Sequence, residues 1–308
     1  MSVFKSNLLL LLAAAIWGFA FVAQRMGMDY VGPFSYNGVR FALGALSLVP
    51  LILFYKKTSQ RKTKEEQGLK KVMSAGLIAG AVLFLGASLQ QIGLIYTTAG
   101  KAAFITCLYI VLVPMAGLFL KQYISMTTWL GSLVAIVGLY LLCVKDSFFM
   151  SYGEFLELIG AFFWTIHILV IDRFARKVDV LQLSFFQFIT CSALSLLTAL
   201  VIETISVESL RLALVPILYG GICSVGIAYT LQVVGQKNAQ PSHAAIILSM
   251  ETVFAAFGGW LILNEKLGVQ EVIGSAIMLA GMLLSQMQNI NRTGEKEEDV
   301  AVDSIQRS

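Results

Sequence analysis

The sequence predicts an all-α polytopic membrane protein with ten transmembrane helices arranged as an inverted five-plus-five repeat. Three observations carry that expectation. The 308-residue chain is 57% hydrophobic and only 13% charged, about half the roughly 25% charged fraction of an ordinary soluble domain, so lipid is its expected solvent. The apolar residues gather into membrane-length runs. The second half also echoes the first. Trp17 stands sixteen residues before Pro33 and twenty-three before Arg40, as Trp164 stands sixteen before Val180 and twenty-three before Gln187. The stretch from Ser88 through Gln90 and Gln91 to Gly93 is answered by Thr230 through Gln232 to Gly235, and Ala102 to Ile105 by Ala244 to Ile247. A duplicated helical unit is the sequence mark of a secondary transporter, because alternating access uses two similar halves that rock about one site.

A transmembrane helix needs about 20 mainly apolar residues, and that rule gives spans near 5–24, 33–55, 72–94, 99–120, 127–144, 153–172, 180–203, 211–233, 241–263 and 268–288. The first span opens like a signal peptide, with Lys5 ahead of an apolar run and Ala13, Ala14 and Ala15 in place of a cleavage site. It continues apolar through Val22, beyond the ~7–15 residues of a signal-peptide core, and is read as a retained helix. Turn-forming or polar segments separate the spans at Asp29–Pro33, Lys56–Lys71, Lys145–Gly153, Asp172–Asp179 and Gln236–Ser242. The repeats are therefore expected over 5–144 and 153–288. The charged tail, 289–308, lacks apolar periodicity and is expected to be disordered; its Asn291-Arg292-Thr293 sequon is read as a chance match.

Lys and Arg set the expected orientation. With the N-terminus inside, the cytoplasmic segments hold Lys5, the cluster from Lys56 to Lys71, Lys121, Arg173, Arg176, Lys177 and Lys237. The opposite face keeps Arg25, Lys145, Arg211 and Lys266. Both termini are thus expected in the cytoplasm, in the inner or plasma membrane. Five spans per half is an odd number, so the second half enters from the other side, which makes the repeats inverted. Gly76-x-x-x-Gly80 is a small-residue pair that lets membrane helices approach closely, and packing within one bundle is its expected use.

Several function classes are excluded. The net charge of +4 comes from short loops and not from a basic face with interleaved aromatics, so nucleic acid is not an expected partner. Cys107, Cys143, Cys191 and Cys223 all sit in apolar runs without metal or redox spacing. There is no Gly-x-Ser-x-Gly elbow, no His-Glu-x-x-His and no Walker loop, and His167 and His243 are the only histidines. The reading is not an enzyme, with no cofactor and no metal. Transport would be driven by a solute or ion gradient.

Trp17-Gly18-Phe19-Ala20-Phe21, Arg40-Phe41, the run from Leu108-Tyr109 to Pro114, Phe163-Trp164, and Glu251 to Ala256 followed by Trp260 to Glu265 together resemble the drug/metabolite transporter superfamily, specifically its EamA-type members with two five-helix domains. The match spans about residues 7 to 288. Three positions depart from the family pattern: Gln24-Arg25 replaces a lysine closing the first helix, Thr252 replaces a proline after Glu251, and Lys121-Gln122 replaces Gly-Glu. The second departure implies that no proline break follows Glu251. What the resemblance implies is a ten-helix carrier with a central cavity that moves small metabolites, often outward.

An ionisable side chain near the bilayer centre costs at least ~2.5–3.5 kcal/mol and faces a cavity or a partner. Glu251, His167 and Arg40 meet that test. Each has a bland alternative: a fixed salt bridge for Glu251, with Arg40 or Lys101 as partner; a hydrogen-bonded neutral core imidazole for His167; a structural pair or cap for Arg40. Gln90, Gln91, Thr106, Tyr109, Gln187 and Gln232 form a polar second rank, in which Gln90 matches Gln232 and Arg40 matches Gln187 across the repeat. They serve either as a site lining or as interhelical hydrogen bonds of ~0.6 kcal/mol each. Trp17 and Trp164 are symmetry mates that either wall the cavity or pack as aromatics. Lys101 and His243, at matching helix starts, are expected to snorkel toward an interface. The function this supports is export of a small polar or amphipathic metabolite such as an amino acid, with protons as a candidate coupling ion carried by Glu251. A membrane-embedded lipid-handling enzyme or scaffold, and a channel, are the alternatives.

Overall fold

The computed structural model describes residues 2–58, 65–119, 124–143, 151–263 and 268–284, apart from 271, 275 and 282. The predicted tail and most of the Lys145–Gly153 connection lie outside the described residues. In chain order the helices are α1 (Val3–Gly27), α2 (Pro33–Thr58), α3 (Glu65–Tyr96), α4 (Ala99–Thr106), α5 (Tyr109–Phe119), α6 (Met126–Cys143), α7 (Tyr152–Ala175), α8 (Val180–Ile202), α9 (Val207–Leu212) and α10 (Leu214–Leu218). A π-helical stretch, Tyr219–Tyr229, leads into α11 (Thr230–Gln236), and α12 (Pro241–Leu248) and α13 (Glu251–Ile262) follow. A last apolar helix, α14 (Val272–Gly281), closes the described chain. Among the described residues, eight helical spans are long and apolar enough to cross a bilayer, with α4–α5, α10–α11 and α12–α13 each counted as one. The remaining two expected spans appear as shorter apolar helices, Met126–Gly138 within α6 and α14.

Local sequence explains where these helices start. Ser2 caps α1 by accepting from Lys5 N, Thr98 caps α4 through Lys101 N, and Asp179 caps α8 through Gln182 N. Ser151 and Glu154 form a reciprocal capping box at α7. Each such cap satisfies a backbone N–H that the first helical turn leaves unpaired, worth about 1 kcal/mol. Between helices, close packing does the work, since lipid tails offer no hydrophobic drive for association. Gly76 and Gly80 of α3 lie against α8: a Cβ at Gly76 would strike Phe186, and one at Gly80 would strike Thr190 and the Gln187 carbonyl. That pair is used inside the bundle, as expected. Leu46, Phe54, Leu200, Val201 and Val215 point outward and exposed, the lipid-facing counterpart of this packing.

The equivalent helices of the two halves run in opposite directions. α7 starts at Ser151 and Glu154, which line a vestibule together with Thr98 at the start of α4. α7 ends at Arg176, whose guanidinium donates to the Ala239 carbonyl just before α12 (3.3 Å). Hence α4 enters from the vestibule face and α12 from the opposite face, the antiparallel relation of an inverted repeat.

Both entering helices are interrupted at the same place. α4 stops at Thr106 and α5 restarts at Tyr109; α12 stops at Leu248 and α13 restarts at Glu251, a constant offset of 251 − 109 = 142 residues. At each break the backbone tightens to i→i+3 bonds: Leu108 N to Ile105 O, Ile110 N to Cys107 O and Val111 N to Leu108 O in the first. Met250 N to Ile247 O, Thr252 N to Ser249 O and Val253 N to Met250 O repeat the pattern in the second. No proline is involved at the second break, which precedes Glu251. There Ser249 Oγ donates to Ile246 O and Thr252 Oγ1 to Ser249 O, both at 2.8 Å, occupying carbonyls the regular ladder would use. In α5, Pro114 carries no N–H for the Ile110 carbonyl, and Ser132 Oγ of α6 donates to it at 3.4 Å.

Candidate functional site

The two interruptions meet at the centre of the bundle and wall a cavity of about 40 Å³, space for roughly three waters at about 10–15 Å³ each. The vestibule, at the face where α4 and α7 begin, is wide by comparison at about 600 Å³. The centre is tight in this conformation, and the pocket at that face is the roomier of the two.

Residues from all around the bundle line the central cavity. α2 supplies Arg40, α13 Glu251, α5 Tyr109, α3 Gln90 and α11 Gln232, with Trp17 on α1 and Trp164 on α7. The symmetry mates Tyr109 and Glu251 touch: the phenol donates to Glu251 Oε1 at 3.0 Å. Cys107 Sγ, two residues before α5 begins, lies 3.4 Å from the same oxygen and 3.6 Å from the carbonyl of its own mate, Ser249. Glu251 is 5% exposed and is held by these neutral donors with no cation in ion-pair range among the described residues. The alternative of a salt bridge to Arg40 or Lys101 does not describe this conformation, because Lys101 pairs with Glu154 at 3.1 Å.

Arg40 is 2% exposed and also lacks a carboxylate partner among the described residues. Its Nε donates to Asn37 Oδ1 at 2.9 Å, while Asn37 Nδ2 donates to the Ala87 carbonyl at 3.0 Å. The guanidinium lies over the rings of Phe41 (4.9 Å) and Tyr36 (5.4 Å), contacts that orient the planar fork without neutralising it. The hydrogen bond of the guanidinium is made by Nε, and an amide and two ring faces hold it in place.

The aromatic wall is continuous. Trp17 and Trp164 flank Tyr229, edge-on at 4.6 Å for the first and stacked at 6.3 Å for the second. Trp17 Nε1 donates to the Ser224 carbonyl at 3.2 Å, inside the π-helical stretch. A wider coil frees backbone carbonyls, which is why π segments recur at functional sites. Trp164 Nε1 and Gln232 Oε1, both on cavity-lining residues, are buried without a hydrogen-bond partner among the described residues.

Of the residues singled out from sequence, His167 and Gln187 do not line the cavity. They bond to each other, His167 Nε2 to Gln187 Oε1 at 3.0 Å, with the imidazole edge-on to Trp164 and Tyr229. The reading of His167 as a hydrogen-bonded core imidazole fits that geometry. Arg40 and Gln187 are mates in sequence, yet only Arg40 reaches the cavity. His243 does not snorkel: it is 5% exposed and shares a 2.9 Å hydrogen bond with Thr128 Oγ1, because α6 packs over the start of α12. Sequence reasoning passed over Gln24, which lines the cavity and accepts from Gln90 Nε2 at 3.2 Å, and Tyr229. It also passed over Glu157, buried on α7 and bonded by Thr106. The signal for Glu157 was present, an acidic residue inside an apolar run, but its closeness to the helix start masked it.

Comparison with known proteins agrees with this architecture. The EamA-like transporter family model matches residues 4–144 and again 151–287. An "Uncharacterized transporter" of Archaeoglobus fulgidus is 30% identical over 284 residues, covering 92% of this chain and 86% of that protein. The "Uncharacterized transporter YoaV" of Bacillus subtilis is 23% identical, covering 88% and 92%. A solved crystal structure described only as "Crystal structure of protein" shares the fold with a TM-score of 0.74 at 18% identity, over 92% of this chain and 98% of its own.

Proposed function

The chain belongs to the EamA-like transporter family, and from that premise we propose that it is a secondary-active exporter of a small zwitterionic metabolite such as an amino acid. One observation carries the substrate class. A buried guanidinium and a buried carboxyl, Arg40 and Glu251, line one cavity without being paired to each other. A substrate carboxylate completes the Arg40 fork and a substrate ammonium completes Glu251, and the aromatic wall of Trp17, Tyr229 and Trp164 receives an apolar side chain. Charge-assisted hydrogen bonds of this kind are the strong ones.

Alternating access is the proposed mechanism, and the inverted pair of broken helices, whose breaks bring Tyr109 and Glu251 together, supports it. Opening toward one face widens the cavity there while the other stays closed. Protons are the proposed coupling ion, with Glu251 carrying either a proton or the substrate ammonium. The charge bias of the loops supports a plasma-membrane orientation with both termini in the cytoplasm, which sets the vestibule on the outer face. A lipid-handling enzyme or scaffold and a channel make different demands, and the test separates them.

That test uses purified protein in liposomes preloaded with unlabelled neutral amino acids, measuring counterflow of the ¹⁴C-labelled forms. Saturable counterflow that is lost in Arg40→Ala supports the reading. No counterflow for any amino acid overturns the substrate class, unsaturable flux favours a channel, and altered lipid without solute flux favours the enzyme.

A further inference from the structure

The central cavity does not use every buried ionisable group. Glu157, on α7, is fully buried. One carboxylate oxygen, Oε2, accepts from Thr106 Oγ1 at 3.1 Å; the other, Oε1, has no hydrogen-bond partner among the described residues. The carboxyl lies against Gly93 of α3, where a Cβ would strike it, so the glycine opens the space it occupies.

Its position joins two compartments. One turn earlier on the same helix face, Glu154 lines the vestibule, since residues three apart on a helix are neighbours. On the other side, Thr106 lines the central cavity and is the last residue of α4 before the break. We propose that Glu157 is a proton-binding site set between the vestibule and the cavity, separate from the Glu251 carboxyl that receives the substrate.

Charge and connectivity support this. A buried carboxylate held by a single hydroxyl is costly, and such groups inside membrane spans mark proton relays. The titratable groups on the helices packed against α7 are few at this level. Lys101 of α4 is held by Glu154 at 3.1 Å, Tyr96 of α3 packs on Tyr152 and Tyr109 of α5 donates to Glu251, while His243 of α12, at the opposite face, bonds with Thr128. None of them neutralises Glu157. The Thr106 hydroxyl both donates and accepts. It can relay a proton: Oγ1 accepts one from a hydronium in the cavity, leaving water, as its own passes to Glu157 Oε2 and converts carboxylate to carboxylic acid, and the reverse step returns it. Thr106 is also one residue from Cys107, which contacts Glu251. The first helix break therefore holds the Glu157 carboxyl on one side and the Glu251 carboxyl on the other, so a movement of that break acts on both.

Where the proton binds is independent of the transport reading; what the proton drives rests on it. The first measurement is an infrared titration of purified protein from about pH 5 to about pH 9, across which perturbed carboxyl groups titrate, following the C=O stretch of protonated carboxyls. A titrating band absent from Glu157→Gln and retained in Glu251→Gln is the expected result. A Glu157 band that holds constant over that range, or that responds to sodium and not to pH, overturns the proposal. The second is liposome flux of ¹⁴C-labelled neutral amino acids. The ratio of pH-gradient-driven accumulation to counterflow should fall at least about fivefold in Glu157→Gln, the lower end of coupling between linked sites, with Thr106→Val lowering it while keeping the infrared band. An unchanged ratio removes the proton's coupling role. If the wild type moves no amino acid while the band titrates, the transport reading fails and the proton site stands.

Discussion

Glu203 should hold the two halves together at the vestibule face. It ends α8, and its carboxylate accepts from Phe34 N and Ser35 N at 2.8 Å each and from Ser35 Oγ at 2.6 Å. These are donors of the first turn of α2, which begins at Pro33, a residue with no N–H to lose. A carboxylate at a helix N-terminus also meets the positive end of the helix dipole. Bonds to a charged group are worth about 1.5–3 kcal/mol apiece, but the site is half-exposed and water replaces part of each. About 1 kcal/mol per bond is the working figure, giving roughly 3 kcal/mol for Glu203→Ala. At about 2–4 °C per kcal/mol that is a fall of about 6–12 °C in apparent melting temperature. Intrinsic tryptophan fluorescence on heating the detergent-purified protein, which has four tryptophans, reads it directly. Glu203→Gln keeps one carbonyl and should lose about half as much, and Glu208→Ala, an exposed acid nearby on α9, should change nothing. If Glu203→Ala melts with the wild type, the carboxylate is not joining the repeats. If the Gln and Ala variants fall equally, the charge contributes nothing and the argument from charged hydrogen bonds fails.

Arg40→Lys should impair amino acid counterflow nearly as much as Arg40→Ala, by about 10–100-fold, because an ammonium cannot reproduce a bidentate fork worth about 1.5–3 kcal/mol; full activity in the alanine variant removes Arg40 from the site. Gly80→Ala should destabilise by about 1–3 kcal/mol, since its Cβ runs into α8. Gly100→Ala, with open space around it, should be neutral or gain up to about 1 kcal/mol, and thermal melts that rank the two the other way contradict the packing. In a background lacking the native cysteines, Thr97→Cys, which lines the vestibule, should react with an impermeant maleimide in intact cells. Asn238→Cys at the opposite face should react only after permeabilisation, and the reverse pattern inverts the proposed orientation.

Membrane length, the repeat and its matched pairs were all legible in the residues, because bilayer thickness and helical rise impose a length that composition alone reveals. The duplicated spacing named Gln90 and Gln232 as mates, while the pairing of Tyr109 with Glu251, at the same offset, came from the structure. Less legible were the helix breaks, which no proline marks: i→i+3 bonds form at Cys107–Leu108 and around Ser249–Met250, where Ser249 and Thr252 hydroxyls also bond backbone carbonyls.

The sequence by itself determined the solvent, the duplicated unit and the short catalogue of polar side chains that lipid would otherwise exclude. Only the tertiary structure decided which of those share a cavity. Arg40 and Gln187 occupy equivalent places in the repeat, but one faces the centre and the other is bonded to His167. Gln24 and Glu157 entered the picture because of what α3 and α4 place beside them. The physical reason is that polar burial is settled pairwise: a buried group goes where its hydrogen-bond partner lies, and partners from distant helices are brought together by packing, which no local pattern records.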